Sequence, residues 1–220
     1  MILGTGFGDT LAKLGATHVA GGLYRTAAGH VVLLRHGVGH KVPPHRLDHH
    51  AHIRALVDAQ VTEVIAFASV GALRAAVRVG DLVTPDDLLD PTFSPPTFFD
   101  DEVVHTSMHA PFDATLAAHV RARHDALGGG TCHPRGVYVQ VRGPRYPTRA
   151  ECSMLAEHGD VVGMTIASEA TLAAERGLRY ACVCLVTDGH DELAPDHDKI
   201  TAAAPATRAR LGALIAELLA

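Results

Sequence analysis

The chain has 220 residues, of which 47% are hydrophobic and 20% charged, a balance typical of a globular protein and not of a disordered one. Its formal net charge of −5 argues against a broad surface for nucleic acid or anionic membranes. No apolar run approaches the roughly 18 residues that a membrane span needs. Residues 1–9 have no basic region, so we expect no signal peptide.

Short β-branched runs alternate with longer helical patterns, which predicts an α/β fold with a sheet covered by helices. No repeat or domain boundary is visible, so we expect a single domain over residues 1–220. The predicted strands are Val31–Leu34, Glu63–Ala68, Gly136–Val141 and Tyr180–Val186. The predicted helices are His45–Ala59, Asp113–Leu127, Thr148–His158, Ile166–Arg176 and Ala206–Leu219.

Between the first two helices, the segment Asp90–Asp101 holds three prolines and three phenylalanines. Aromatic residues seldom populate flexible linkers, so we expect an ordered, irregular excursion there. The four cysteines, at positions 132, 152, 182 and 184, form no Cys-x-x-Cys pair, and two lie in an apolar strand pattern. This pattern favours reduced thiols and a cytoplasmic location.

Each predicted strand stops at a polar or glycine-rich cluster. In open α/β sheets, ligands bind outside the carboxyl ends of the strands, so these clusters are expected to converge on one crevice. For any single cluster, an ordinary turn is an equally simple explanation, since turns are polar. The clusters are Arg35-His36, Ser69-Val70-Gly71, Arg142-Gly143-Pro144 and Thr187-Asp188.

Two of the motifs suit an anion. The glycine-rich stretch Gly4-Thr5-Gly6-Phe7-Gly8 has neither P-loop nor dinucleotide-binding spacing, but its N–H groups and the Thr5 hydroxyl could approach an anion closely. The guanidinium of Arg35 suits a bidentate contact with phosphate oxygens. A plain turn and a surface arginine are the alternatives.

Histidines and an aspartate offer other chemistry. The segment His45–His52 carries two pairs at i,i+4 spacing, which a zinc site could use, but the His-Glu-x-x-His pattern is absent and we expect solvated histidines and no metal. Asp188, at the end of the last strand, could exchange a proton with a heterocyclic leaving group, or it could simply cap a turn.

Taken together, these clusters resemble the trimeric purine nucleoside phosphorylase and methylthioadenosine phosphorylase family. The likeness runs through most of the chain, and the shared order of its pieces makes it specific. The matching segments are Gly4-Thr5-Gly6-Phe7, Arg35-His36-Gly37 with His40, Pro44-His45-Arg46, Ser69-Val70-Gly71-Ala72-Leu73, Gly80-Asp81-Leu82-Val83, His105-Thr106-Ser107-Met108 with Pro111-Phe112, Gly143-Pro144-Arg145-Tyr146 with Arg149-Ala150-Glu151, and Gly163-Met164-Thr165 with Glu169.

The resemblance implies a mixed, twisted β-sheet flanked by helices and a phosphate site. In that site Thr5, Arg35, His36, the main chain near Ser69, and Thr165 would hold phosphate. Phosphate would be a co-substrate, and no cofactor or metal is implied. The family's small Thr-Ala pair is here Ala68-Ser69, and its first strand is reduced to Met1-Ile2-Leu3.

The resemblance also implies a nucleoside site. Tyr146 would pack on the purine, and Asp188 would bond to it near N7 or the 6-substituent. The family's second aspartate is replaced here by His190, which we expect at the purine. Met164 would lie under the ribose, and His105 would border the 5′-substituent in a neighbouring subunit of a homotrimer.

The expected function is therefore phosphorolysis of a purine nucleoside to free purine and a ribose-1-phosphate derivative. An aspartate near N7 suits 6-aminopurines, which favours 5′-methylthioadenosine or another 5′-modified adenosine. The alternatives are a phosphorylase for 6-oxopurine nucleosides or methylthioinosine, a nucleosidase that uses water, and a nucleoside-binding protein without catalysis.

Overall fold

A mixed β-sheet forms the centre of the fold in the computed structural model of the chain, which describes residues 1–5, 11, 14–92, 94–190 and 205–219. The strands in these ranges are β1 (Ile2–Leu3), β2 (Thr17–His18), β3 (Leu23–Arg25), β4 (Val31–Leu34), β5 (Glu63–Ala72), β6 (Leu82–Val83), β7 (Asp87–Leu89), β8 (Cys132–His133), β9 (Val137–Gln140), β10 (Val161–Gly163) and β11 (Arg179–Asp188). The helices are α1 (His49–Asp58), α2 (Ala114–Ala126), α3 (Arg149–Ala156), α4 (Ile166–Glu175) and α5 (Pro205–Leu218).

The long strand β5 organises the sheet. It pairs in parallel with β1 and β11, and at its end it pairs antiparallel with β10. The strands follow the order β2-β3-β4-β1-β5-β10-β9-β7. Outside this order, β11 pairs with β5 and β6, and β6 also pairs with β8. The expected mixed sheet is confirmed, and the carboxyl ends of β4, β5 and β11 lie at one edge.

Alternate side chains of the central strands enter two different cores, because successive residues of a strand point to opposite faces of the sheet. On one face, Ala66 packs with Ile53 of α1 and Ile166 of α4. On the other face, Phe67 packs with Val120 of α2 and Leu214 of α5. The sheet is thus covered by helices on both sides.

The predicted strand at Glu63–Ala68 was too short. The strand continues to Ala72 because Gly71 and Ala72 pair with β10, a strand that was not predicted. The other strands missed from sequence contain only two or three residues each, which is too short for an apolar alternation to be visible. The prediction of β4 agrees with the structure in both bounds.

The predicted helix His45–Ala59 is wrong at its start. Pro44–Arg46 form a separate 3-10 turn, Leu47 is extended, and the α-helix begins only at His49. The Asp48 carboxylate accepts a hydrogen bond from the Ala51 N–H at 2.8 Å, so Asp48 is the N-cap of α1. Within the described ranges, none of the helices could cross a membrane by length and apolar character.

The proline- and phenylalanine-rich segment packs onto neighbouring helices through its described residues Thr97 and Phe98, which agrees with the expected ordered excursion there. Glu175 accepts hydrogen bonds from the Thr97 hydroxyl at 2.7 Å and the Phe98 N–H at 2.6 Å. The Arg176 guanidinium lies 4.1 Å from the centre of the Phe98 ring, and His50 Nε2 is 2.8 Å from the Thr97 carbonyl. These contacts fasten the segment to α1 and to the C-terminal end of α4.

Candidate active site

A cavity of about 680 Å³ opens at the carboxyl edge of the sheet, within the range of small-molecule sites. Residues from the ends of β4, β5 and β11 line it together with the segment around Pro144, so the expected convergence of the strand ends is confirmed. Nearly all the site residues predicted from sequence lie on its wall: Thr5, Arg35, His36, Ser69, Tyr146, Met164, Thr165, Asp188 and His190.

Arg35 is only 1% exposed and is held by a buried carboxylate. Its Nε donates to Glu169 Oε1 at 2.5 Å and its Nη2 donates to Oε2 at 2.9 Å, a bidentate pair. Nη1 donates to the Phe67 carbonyl at 2.8 Å. The Tyr180 hydroxyl donates to Glu169 Oε2 at 2.6 Å. Residues from β4, β5, α4 and β11 therefore fix one guanidinium in place.

Among the described residues, two of the N–H groups of Arg35 have no hydrogen-bond partner. A guanidinium has five N–H groups, and the contacts to Glu169 and Phe67 use one each on Nε, Nη1 and Nη2. A Cβ at Gly4 would overlap Nη1 and the Phe67 carbonyl, so only glycine allows the N-terminal loop to approach this closely. The remaining N–H groups belong to a side chain that lines the cavity.

The charges of this pair stabilise each other. Burial alone would raise the pKa of Glu169, but the adjacent Arg35 guanidinium holds it down at about 2. The Glu169 carboxylate in turn raises the pKa of Arg35 against the opposing effect of burial. Both groups are therefore charged at every physiological pH, and removing either one would leave an unpaired buried charge.

His49 and His52 of α1 are half-buried beside this pair, so the expectation of solvated histidines was wrong for them, whereas His45 before the helix is exposed. The His49 side chain is 11% exposed, and its Nδ1 lies 3.9 Å from Glu169 Oε1. His49 Nδ1 and His52 Nδ1 are buried and have no hydrogen-bond partner in the part of the chain that the structure describes. Burial lowers the pKa of His49 to about 4 and also lowers that of His52, so both rings are neutral at pH 7.

His36 is the second predicted anion ligand that the structure buries, at 6% exposure. Its Nδ1 lies 2.8 Å from the Val42 carbonyl, and its ring lies 4.1 Å from that of His40. Burial and the neighbouring Arg35 charge lower the pKa of His36 to about 3. Its ring is therefore neutral and fixed against the wall of the cavity.

Hydroxyl groups surround the Arg35 end of the cavity. Ser69 Oγ is 3.4 Å from the Thr5 carbonyl, so β5 brings these two residues together. Thr165 is the N-cap of α4 but makes no side-chain cap hydrogen bond. The Tyr138 hydroxyl accepts the N–H groups of Thr165 and Ile166 instead, at 3.2 and 3.3 Å. The start of α4 is thus already satisfied, and side chains are left to meet an anion.

A tight turn shapes the part of the cavity wall that Met164 lines. Gly143 has a φ of 66°, and a Cβ there would lie 2.6 Å from Met164 Sδ, so the turn can approach Met164 only with glycine. Tyr146 follows in the same loop. The loop is fastened by Glu151, which accepts two hydrogen bonds from Arg145 at 2.7 Å and forms a capping box with Thr148.

A carboxylate, that of Asp188, also lines the cavity. Asp188 ends β11, and the Thr187 hydroxyl can donate to Asp188 Oδ2 at 2.9 Å or to the Val70 carbonyl at 3.2 Å. His190 lies two residues further on and is exposed. A carboxylate and an imidazole at one edge of an apolar cleft can accept and exchange protons with a heterocycle.

One predicted site residue does not line this cavity, and two further predictions fall outside the described residues. His105 is exposed and does not line the cavity of its own chain. The glycine-rich motif beyond Thr5, which includes Gly6 to Gly8, lies outside the described residues, and so does Asp191.

Sequence reasoning missed the residues that support the site. Tyr180 and His49 were not connected to Arg35, because nothing in the sequence indicates which distant side chains meet. Gln140 was also missed. Its Oε1 accepts the Ala167 N–H at 3.1 Å, which supports the first turn of α4. Of these supporting residues, only Glu169 could be singled out from the sequence, because it belongs to a segment that carries the family resemblance.

Comparison with known proteins gives one family. A family model described as the phosphorylase superfamily matches residues 10–220. The chain is 44% identical over 160 residues to the S-methyl-5′-thioadenosine phosphorylase of Hyperthermus butylicus, which covers 71% of the chain and 58% of that protein. It is 39% identical over 163 residues to the probable S-methyl-5′-thioinosine phosphorylase of Methanothermobacter thermautotrophicus, covering 73% and 56%. The matches thus span less than two thirds of these relatives.

Among solved structures, a mutant of the adenosine/methylthioadenosine phosphorylase of Schistosoma mansoni in complex with methylthioadenosine superposes with a TM-score of 0.87. The two chains share 26% sequence identity, and the superposition covers 99% of this chain and 88% of the other. The α/β architecture is therefore that of a phosphorylase fold.

Replacing the buried carboxylate should cost far more than replacing an exposed one. Glu169→Gln leaves the Arg35 charge buried and unbalanced, so we expect the free energy of unfolding to fall by about 3–5 kcal/mol. The same change in the exposed pair, Glu217→Gln opposite Arg123, should cost no more than about 1 kcal/mol. Urea unfolding of both variants measures the difference, and equal losses would contradict the account of the ion pair.

Acid should destabilise the protein through His49. Its pKa is about 4 when folded and 6.5 ordinarily, so the unfolded chain binds the proton more readily. The stabilisation is complete above pH 6.5 and is lost as the pH falls towards 4. Between pH 7 and pH 5 this group alone should remove about 2 kcal/mol.

The matched variants are His49→Gln and His45→Gln, the latter at an exposed residue before α1. His49→Gln should reduce the loss of unfolding free energy between pH 7 and pH 5 by about 2 kcal/mol, while His45→Gln should leave it unchanged. Urea titrations at the two pH values give the answer. An identical acid dependence in all three proteins would show that His49 is not buried as described.

Proposed function

The chain belongs to the phosphorylase superfamily, and we propose that it splits purine nucleosides with inorganic phosphate. The preferred substrate is 5′-methylthioadenosine or another 5′-modified adenosine, and the products are the free purine and a ribose-1-phosphate derivative. The observation that carries the proposal is the buried Arg35 guanidinium, which Glu169 fixes at one end of a nucleoside-sized cavity.

The phosphate end is the better defined half. Arg35 has two N–H groups left after its contacts to Glu169 and Phe67, and the cavity wall beside it carries the hydroxyls of Thr5 and Thr165. Fixed donors of this kind hold an oxyanion without reorganising during the reaction. In the proposal, His36 and the main chain near Ser69 complete the phosphate site.

The purine and the ribose occupy the other end. Tyr146 packs on the purine ring, with offset or edge contacts that aromatic pairs favour. Met164 lies under the ribose, and Asp188 meets the purine near N7 or its 6-substituent, with His190 nearby. A carboxylic acid donates to N7 and a carboxylate accepts from a 6-amino group, which is why the proposal favours adenine nucleosides.

The reaction then follows from positioning. Phosphate approaches C1′ of the ribose from the face opposite the base, its oxygen forms the new bond to C1′, and the bond from C1′ to the purine nitrogen breaks. C1′ gains positive charge along this path, and the bound phosphate stabilises it. The electron pair of the broken bond goes to the purine, which takes up a proton. The environment of Asp188 lowers the cost of that step.

Two further parts of the proposal concern the assembly and its surroundings. We place His105 at the 5′-substituent of a neighbouring subunit in a homotrimer, which agrees with its exposure on the single chain and its distance in sequence from the cavity residues. The four cysteines are unpaired, and a cytoplasmic location is proposed from that pattern alone.

A phosphorylase for methylthioinosine or other 6-oxopurine nucleosides is the second candidate. A relative described as a probable methylthioinosine phosphorylase shares 39% identity with the chain, close to the 44% of the methylthioadenosine phosphorylase. Exposed His190 beside Asp188 changes the hydrogen-bonding pattern at the purine end. Both candidates use the same phosphate site.

Purine release measures the proposed activity. Methylthioadenosine, adenosine and inosine are each incubated with the protein, with and without inorganic phosphate. We expect phosphate-dependent release of adenine, fastest from methylthioadenosine. Faster release of hypoxanthine would favour the second candidate. Release that does not need phosphate would indicate a nucleosidase, and binding without release would indicate a nucleoside-binding protein.

Asp188→Asn tests the purine contact. Asparagine offers an amide donor where the carboxylate only accepts, so the ratio of kcat/KM for methylthioadenosine to that for methylthioinosine should fall at least about 10-fold. Asp86→Asn removes a carboxylate that pairs with Arg135 outside the cavity, and it should leave the ratio unchanged. An unchanged ratio in Asp188→Asn would contradict the role given to Asp188.

A further inference from the structure

His36 is held so that only one of its ring nitrogens can meet a ligand. Nδ1 lies 2.8 Å from the Val42 carbonyl oxygen. A carbonyl oxygen can only accept a hydrogen bond, so Nδ1 must carry the proton. His36 lines the cavity, and the nitrogen left to face a bound molecule is Nε2.

Nε2 is an acceptor because the ring is neutral. His36 is 6% exposed and follows Arg35 directly, and both the burial and the positive charge oppose a second proton. The hydrogen bond to the Val42 carbonyl opposes them, the His40 ring packed at 4.1 Å acts with them, and the Glu169 carboxylate opposes them more weakly. The net effect lowers the pKa of His36 to about 3. At pH 7, Nε2 therefore has a lone pair and no hydrogen.

The anion end of the cavity thus combines donors with an acceptor. Arg35 supplies N–H groups and Thr5 and Thr165 supply hydroxyls that can donate. An anion whose oxygens all lack protons would satisfy these donors but would turn a lone pair towards Nε2. A hydrogen phosphate has a P–OH group, which can donate to Nε2 while its other oxygens accept.

We propose that His36 Nε2 selects a protonated oxyanion, so that the site binds inorganic phosphate more tightly than sulfate. The two ions have similar size and shape, and near neutral pH they carry a similar charge. They differ in the proton, since phosphate keeps at least one and sulfate keeps none. The inference rests on the proposed phosphate site and adds the feature that would distinguish the true co-substrate from an abundant competitor.

The size of the effect follows from one unmatched acceptor. A buried polar group left facing a group that cannot pair with it weakens binding by at least about 10-fold. We therefore expect sulfate to bind at least about 10-fold more weakly than phosphate at pH 7 and equal ionic strength.

Calorimetric titration of the intact chain with sodium phosphate and with sodium sulfate measures this ratio. In His36→Gln the side-chain amide can donate as well as accept, so the ratio of the two dissociation constants should fall towards one. His45→Gln makes the same change at an exposed residue that does not line the cavity, and the ratio should stay as in the unchanged chain. A His36→Gln variant that still binds phosphate more tightly than sulfate by the ratio of the unchanged chain would overturn the proposal.

Long-range proton–nitrogen spectra of the unchanged chain test the same point without a variant. With His36 assigned through its backbone and phosphate present, the proposal predicts a protonated Nδ1 and an unprotonated Nε2 at pH 7. A proton on Nε2 would overturn it.

The outcomes separate this inference from the proposed function. Equal binding of phosphate and sulfate, together with phosphate-dependent purine release, would overturn only the role of His36. Absence of phosphate binding together with phosphate-independent purine release would overturn the phosphate site as well, and with it the proposed function.

Discussion

The buried pair between Arg35 and Glu169 is the interaction on which the site depends. Two opposite charges are withdrawn from water almost completely, and such charges are costly unless they remain paired and hydrogen-bonded. These hydrogen bonds join three elements of the fold, because Arg35 follows β4, Glu169 belongs to α4 and Tyr180 to β11. A shift of any of these elements would break the pairing, so the pair restricts how the helices sit on the sheet. The same geometry gives Arg35 a fixed edge towards the cavity.

The carboxyl ends of the strands determine where the cavity lies. The Arg35–Glu169 pair fixes a positively charged guanidinium on one part of its wall. At one end of the cavity a fixed guanidinium, threonine hydroxyls and a neutral His36 offer a defined pattern of donors and one acceptor. In the proposed function the other end takes the purine and the ribose, and Tyr146, Met164 and Asp188 are the lining residues assigned to it. A ligand that spans both ends needs an anionic part and a flat heterocyclic part. In the proposed reaction these are two separate molecules, held so that they meet at the ribose.

Much of this arrangement could be predicted from the sequence, where the signal was local. The strand Val31–Leu34 and the polar cluster Arg35-His36 after it were visible as an apolar run and its end. The family resemblance then identified the residues on the cavity wall. The start of α1 could not be predicted, because the helical pattern from His45 concealed the cap at Asp48. The role of His49 was also missed, since its burial depends on the helix packing against Glu169 from a segment more than a hundred residues away.

A crystal structure of the chain with adenine and inorganic phosphate bound is the most direct test of the account. We predict phosphate against the Arg35 edge that Glu169 leaves open, with a P–OH oxygen at His36 Nε2, and adenine between Tyr146 and Asp188. The Arg35–Glu169 pair should remain intact in the complex. Phosphate bound elsewhere, or a guanidinium that turns away from Glu169 to reach it, would contradict the account.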